Sequence, residues 1–123
     1  MTHAKAITLL LVDDSRVARL SLMRQLAALG AEFDILQAAS ADEAQAIMEG
    51  RQADVALIDF NMPGRDGLTL AAEFCDSHPN MKMALVTANI QRPVVERAQA
   101  LGMAFMGKPT NPDELARFLG VAP

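Results

Sequence analysis

The fold is decided by residues 55–67, whose sequence is VALIDFNMPGRDG. The first four residues are all apolar, which is typical of a strand that is buried on both faces. Asp59 ends this apolar run, and the loop that follows is rich in Asn, Pro and Gly, the residues that form turns. This loop is the longest polar interruption of the chain, and we expect a helix to follow it.

Apolar runs and helix-period segments alternate on both sides of this stretch, from one end of the chain to the other. Such alternation predicts a parallel sheet covered by helices on both faces, which is an α/β fold of five βα units wound in both directions. We predict strands at residues 6–12, 33–38, 55–59, 82–87 and 104–107. We predict helices at residues 15–29, 40–50, from the loop to 77, 93–101 and 112–119. In the first helix the side expected to be buried carries Leu20, Met23, Leu26 and Leu29.

Length and composition limit the class of protein. A chain of 123 residues suits one compact domain, so we predict a single domain over residues 1–123 with no output domain. The formal net charge of -4 argues against direct binding of nucleic acid, which needs a basic face. No apolar run approaches the ~18 residues of a membrane helix, and residues 1–5 lack signal-peptide character, so we expect a cytoplasmic protein without membrane insertion.

Polar side chains follow four of the predicted strands, at the point where each strand ends. They are Asp13 and Asp14, Asp59, Thr87, and Lys108. Because the carboxyl ends of parallel strands meet at one edge of the sheet, we expect these side chains to converge. Clustered carboxylates repel one another unless a cation intervenes, and Mg²⁺ prefers oxygen ligands. The sequence therefore predicts a magnesium site beside a lysine and a hydroxyl group.

Four segments in order resemble the signature of the response-regulator receiver domain, a CheY-like family of two-component and phosphorelay signalling. The segments are residues 12–15, 59–67, 86–88 and 107–109, and Phe105 stands three residues before Lys108 as it does in the family. The resemblance covers the whole chain. It implies a flavodoxin-like strand order of 2-1-3-4-5 and a cis peptide bond between Lys108 and Pro109.

The resemblance also implies a role for each acidic residue. Asp59 is expected to accept a phosphoryl group, with Mg²⁺ as cofactor and Mn²⁺ as a substitute. Asp14 and Asp59 are expected to bind the metal directly, the backbone carbonyl of Asn61 to be the third protein ligand, and Asp13 to act through water. The chain would then be no enzyme, apart from Mg-dependent self-phosphorylation and autodephosphorylation.

Signalling in this family implies a further set of residues. Lys108 and Thr87 would contact the phosphoryl oxygens, and Thr87 and Phe105 would form a switch pair. The expected partners are a histidine kinase or histidine phosphotransfer protein, and a protein target on the face of the fourth helix, fifth strand and fifth helix. The last helix, 112–119, is shorter than is usual in the family, so we predict a monomer, or a partner that completes this face.

Two alternatives remain open from the sequence. The chain could be a receiver module excised from a larger transcription factor or hybrid kinase, and a native stop codon after Pro123 would decide this. It could also be a phosphatase of the haloacid-dehalogenase type, which uses an aspartate nucleophile and Mg²⁺ on a similar sheet. That class expects a second aspartate two residues after the nucleophile, where this chain has Asn61.

Overall fold

The computed structural model of the chain describes residues 6–121, in which five strands alternate with five helices. The strands are β1 (Ile7–Val12), β2 (Phe33–Ala38), β3 (Val55–Ile58), β4 (Lys82–Thr87) and β5 (Ala104–Gly107). The helices are α1 (Arg16–Ala27), α2 (Ala41–Met48), α3 (Gly67–Ser77), α4 (Arg92–Ala100) and α5 (Pro112–Leu119). The predicted fold class is confirmed. Within residues 6–121 no helix has the length and apolar character needed to span a membrane.

The five strands form one parallel sheet in the order β2-β1-β3-β4-β5, which confirms the predicted order. Val12 pairs with Ile58, and Thr87 pairs with Gly107, so the strand ends lie level at one edge. Backbone hydrogen bonds continue the pairing by one residue beyond the strands. Asp59 N donates to Val12 O at 2.9 Å, and Lys108 N donates to Thr87 O at 3.1 Å. Backbone hydrogen bonds therefore fix the positions of these strand ends, and of the polar residues that follow them, relative to one another.

The core consists of two layers, one on each face of the sheet. Alternate strand residues face opposite sides, so Leu10 and Ile58 pack under α2, α3 and α4, whereas Leu9 and Leu57 pack under α1 and α5. All four side chains are at most 1% exposed. This rigid sheet positions the residues that follow it.

The buried side of α1 differs from the predicted one at one position. Leu20 is 41% exposed, whereas Leu22 is 4% and Leu26 0% exposed, so the prediction for Leu20 is wrong. Leu22 and Leu26 are four residues apart on α1, which places them on one face of the helix, and the buried Leu29 follows just after the helix ends. Leu20 lies two residues before Leu22, about 200° around the helix, and therefore on the opposite, exposed face.

Side-chain caps set where the helices near the sheet edge begin. The side chain of Ser15 accepts a hydrogen bond from Ala18 N at 3.1 Å at the start of α1. At the start of α2, Ser40 Oγ accepts a hydrogen bond from Glu43 N at 3.1 Å, and Glu43 Oε1 accepts one from Ala39 N at 3.3 Å. Each cap satisfies a backbone N–H that has no partner within its helix.

Candidate functional site

Three aspartates meet at the carboxyl edge of the sheet. Asp13 and Asp14 follow β1, and Asp59 follows β3, and one carboxylate oxygen from each lies within 4.8 Å of the others. Asp13 and Asp59 are buried, at 2% and 7% exposure, whereas Asp14 is exposed. The predicted convergence of the acidic residues is therefore present, with one carboxylate open to solvent.

Lys108 brings a positive charge into this cluster from the end of β5. Its Nζ lies 2.6 Å from Asp13 Oδ2 and 3.6 Å from Asp59 Oδ1. Asp13 is held from a second side as well, since its Oδ1 accepts a hydrogen bond from Ser15 N at 2.9 Å. The ammonium therefore forms its short ion pair with Asp13 and its longer one with Asp59.

The environment of Asp59 changes its acidity. Burial raises the pKa of Asp59 above its ordinary value of 3.8, because a charged carboxylate loses solvation. The charge of Lys108 opposes this rise, the charge of Asp13 adds to it, and hydrogen bonds from Thr87 and from the backbone of Phe60 lower the pKa again. Lys108 and the hydrogen bonds therefore do not fully offset the cost of burying the charge of Asp59. A cation bound nearby would stabilise the charged form of this carboxylate.

An open groove of about 510 Å³ lies beside Asp14. Its other lining residues are Phe60, Asn61, Met62, Pro63 and Asp66. Asp66 begins α3 by accepting a hydrogen bond from Thr69 N at 2.8 Å. The groove gives a small ligand access to the exposed side of the acid cluster.

Gly67, the first residue of α3, packs closely against the backbone just after the end of β3. Its N donates to Phe60 O at 3.0 Å, and a Cβ placed on Gly67 would lie 2.1 Å from Asp59 O. That distance is far below a normal contact between carbon and oxygen, so only glycine permits this approach. The close contact fixes the backbone of Asp59 against the start of α3.

Arg65 anchors the same loop to two helices. Its guanidinium donates to Glu73 Oε1 on α3 at 2.5 Å, and to Asp42 Oδ1 and Gln45 Oε1 on α2 at 2.7 and 2.8 Å. Hydrogen bonding to Glu73, and then to Asp42, raises the pKa of Arg65. The loop that lines the groove is therefore fixed by contacts of Arg65 with α2 and α3, which lie outside the acid cluster.

Thr87 and Phe105 lie on neighbouring strands. Thr87 is fully buried, and its Oγ1 accepts a hydrogen bond from Asn89 N at 3.2 Å. Phe105 is half-buried and packs against the core layer on the side of α4. Thr87 pairs with Gly107, two residues beyond Phe105, so the side chains of Thr87 and Phe105 are on the same face of the sheet. The bond between Lys108 and Pro109 is cis, as the resemblance implied.

The donor set fits a hard divalent cation. Mg²⁺ binds oxygen ligands, uses one or two carboxylates and keeps several waters. Carboxylate oxygens of Asp13, Asp14 and Asp59 lie close enough to share one ion, and the exposed side of Asp14 leaves room for water. The acid cluster is therefore a candidate metal site.

The fold and the acid cluster define a flavodoxin-like α/β domain whose ligand site lies at the carboxyl edge of its sheet. Residues 9–119 match the family described as response regulator receiver domain, and the chain belongs to that family. Its part in two-component signalling is that of a receiver domain. Membership of the family favours this function over the hydrolase alternative.

Proteins similar to this chain include a chemotaxis protein, a regulatory protein and a solved CheY-like receiver domain. A probable chemotaxis protein CheY from Rhizobium etli is 34% identical over 105 residues, which cover 83% of this chain and 80% of that protein. A positive alginate biosynthesis regulatory protein from Pseudomonas aeruginosa is 30% identical over 115 residues, or 92% of this chain and 46% of that protein. A CheY-like receiver domain protein from Methanospirillum hungatei JF-1 has a TM-score of 0.84 at 27% identity, with 94% and 92% of the two chains covered.

Some relatives are much longer than this chain. The chain spans 46% of the alginate regulator and smaller shares, 24% and 12%, of two further curated relatives. What those longer proteins do as a whole therefore does not transfer to this chain.

Sequence reasoning missed three features that support the site. Gly67 was treated as a turn residue, although it approaches Asp59 O closely. Arg65 was treated as part of a polar loop, although it binds both α2 and α3. Arg19 was not considered, although it donates to Asp13 O. Only the glycine carried a local signal, since a Gly directly after a loop and before a helix can mark a close backbone approach.

Proposed function

We propose that this receiver domain accepts a phosphoryl group on Asp59 and passes the signal on through a change of its surface. The observation that carries the proposal is the position of Asp59, buried beside two other carboxylates and 3.6 Å from the ammonium of Lys108. A carboxylate in such a site is a nucleophile that has a cation within reach. The open groove beside Asp14 supports access of a phosphodonor.

The proposed reaction transfers a phosphoryl group without any change of oxidation state. An oxygen of Asp59 attacks phosphorus, the bond from phosphorus to the donor's nitrogen or oxygen breaks, and an acyl phosphate forms. Water later cleaves the acyl phosphate and restores the carboxylate. Asp14, Asp59 and the backbone carbonyl of Asn61 would hold Mg²⁺ or Mn²⁺ directly, and Asp13 would hold it through water. Bound metal would supply positive charge, which would offset the negative charge of the transferring phosphoryl group.

Lys108, Thr87 and Phe105 would convert this chemistry into a signal. The ammonium of Lys108 now pairs with Asp13 at 2.6 Å, and a phosphoryl oxygen on Asp59 would compete for it. The hydroxyl of Thr87 would donate to a second oxygen, and Phe105 on the same face would turn inward into the space that Thr87 leaves. Contacts of this kind bias an equilibrium between two conformations. The face of α4, β5 and α5 would carry the change.

The expected partners follow from the family. A histidine kinase or a histidine phosphotransfer protein would donate the phosphoryl group, and a protein target would bind the face of α4, β5 and α5. We expect a monomer in the cytoplasm, with residues 1–123 acting as one receiver domain. The alternative, a receiver module that belongs to a larger regulator or hybrid kinase, is consistent with the longer curated relatives.

Labelling with a small phosphodonor tests the proposal. Acetyl phosphate and Mg²⁺ are expected to shift the mobility of the wild type on a phosphate-binding gel, and Asp59→Asn is expected to stay unshifted. Asp76→Asn is the matched control, because Asp76 is an exposed aspartate on α3 whose loss leaves the acid cluster unchanged. Equal labelling of the wild type and Asp59→Asn would refute the assignment of the phosphoacceptor.

A further inference from the structure

Arg19 on α1 contacts the backbone of Asp13, the first residue after β1. Its Nη1 donates a hydrogen bond to the backbone carbonyl of Asp13 at 2.5 Å, and its Nε donates to Gln37 Oε1 on β2 at 3.0 Å. One half-buried side chain therefore joins α1, the end of β1 and β2. A guanidinium is planar and can hold two partners in a fixed geometry.

The carbonyl that Arg19 binds belongs to the peptide between Asp13 and Asp14. The rest of Asp13 is also held, because its N donates to Ala38 O at 3.0 Å and its two carboxylate oxygens accept from Ser15 N and Lys108 Nζ. A peptide unit is planar, so fixing its carbonyl fixes the direction in which the next residue leaves it. The direction of the exposed Asp14 therefore depends on a peptide that Arg19 holds.

Arg19 contributes a charged donor to the backbone of the acid cluster. Lys108 pairs with two of the carboxylates, and Asp14 lies on the open side of the cluster. A charge-assisted hydrogen bond to a carbonyl is stronger than a neutral one, so the charge of Arg19 strengthens its hold on the peptide.

We infer that Arg19 is a positioning residue for the metal site: it holds the peptide between Asp13 and Asp14 so that Asp14 meets a divalent cation in the correct direction. The inference rests on the proposed function, since it concerns the same metal site. Partners that orient metal ligands affect affinity through the geometry of the ligands, without touching the ion. Arg19 differs in this from a residue that only fastens α1 to the sheet.

Mn²⁺ binding to the unphosphorylated protein tests this role, followed by electron paramagnetic resonance of the free ion. We expect Arg19→Met to raise the Kd for Mn²⁺ about ten-fold, as is typical when a partner of a metal ligand is removed. Arg19→Lys keeps the charge and a donor, and it should stay within about three-fold of the wild type by the same reasoning. Arg16→Met removes an equal charge from an exposed position of α1 and should change the Kd less than two-fold, roughly the scatter expected from a screened surface charge.

Unfolding in urea, measured on the same samples, separates the inference from its rival. Weaker Mn²⁺ binding by folded Arg19→Met, with recovery in Arg19→Lys, supports a positioning role. Wild-type affinity in Arg19→Met, whether or not it is less stable, overturns it, because Arg19 would then only fasten the helix. If Arg19→Met does not fold, Arg19→Gln replaces it with the same expected weakening. Absence of Mn²⁺ binding by the wild type would refute the metal site itself, and the inference with it.

Discussion

Replacing Gly67 with alanine should damage the fold and the candidate site together. The added Cβ would lie 2.1 Å from Asp59 O and 2.9 Å from the side chain of the fully buried Ile58. One of these atoms is backbone, so relief requires α3 or the end of β3 to move by about 1 Å in a close-packed interior. Overpacking of this kind costs about 1–3 kcal/mol, and we expect the upper end because backbone cannot rotate away.

The displaced atom is the carbonyl of the proposed phosphoacceptor, so function should fall more than stability alone explains. We expect the free energy of unfolding of Gly67→Ala to drop by about 3 kcal/mol. We expect labelling by acetyl phosphate to slow by about ten-fold or more, because a shift of 1 Å at a reacting group has large effects. Unfolding in urea should be followed by circular dichroism, since the chain contains no Trp or Tyr. Labelling is measured where the variant is folded.

Gly107→Ala is the control for this substitution. A Cβ on Gly107 would meet its nearest atom, Ile90 Cγ2, at 3.8 Å, which is an ordinary contact. We expect its stability to change by less than about 1 kcal/mol, in either direction. The reasoning is refuted if Gly67→Ala matches Gly107→Ala in both stability and labelling rate.

Two further predictions concern charge in the acid cluster. Because burial raises the pKa of Asp59 above 3.8, the folded state binds its proton more tightly, and the stability that this provides is lost as the pH rises through the folded-state pKa. Asp59→Asn should therefore raise the Tm at pH 7 without metal, by a margin that shrinks toward pH 4; an unchanged or lower Tm at pH 7 would contradict this. Lys108→Ala leaves Asp13 and Asp59 without their cation, and we expect a loss of about 1–2 kcal/mol at pH 7, moderated because Lys108 is 26% exposed. Saturating Mg²⁺ should restore part of that loss in urea unfolding, and an equal loss with and without Mg²⁺ would count against the charge argument.

Local patterns predicted the secondary structure closely. The predicted bounds of β2, β4, β5 and α5 match the structure, because each is flanked by turn residues or by a glycine that ends it. The predicted first helix, 15–29, was longer than Arg16–Ala27, since Ser15 and Ala28 are its two caps and Leu29 lies beyond them. The misplaced Leu20 shows the limit of such patterns: several apolar residues on one helix leave the angle of its buried face undetermined until the helix meets the sheet.

The candidate site was predictable to the level of which residues meet. Parallel strands bring their carboxyl ends to one edge, so Asp13, Asp59 and Lys108 were expected together although up to 95 residues separate them. The partner that Lys108 prefers was not predictable, because 2.6 Å to Asp13 against 3.6 Å to Asp59 depends on the register of β5 and on the direction of a long side chain. The contacts of Arg19 with Asp13 and Gln37 depend in the same way on how α1 lies across the sheet.

The sequence by itself determined the order of elements, the doubly wound sheet and the list of polar residues at its carboxyl edge, because hydrophobic period and turn residues act over short distances along the chain. Only the tertiary structure decided which carboxylates are buried, which ion pair is short, and how closely Gly67 approaches Asp59. These depend on how the strands, helices and loops pack against one another, and close packing of the whole core sets those positions.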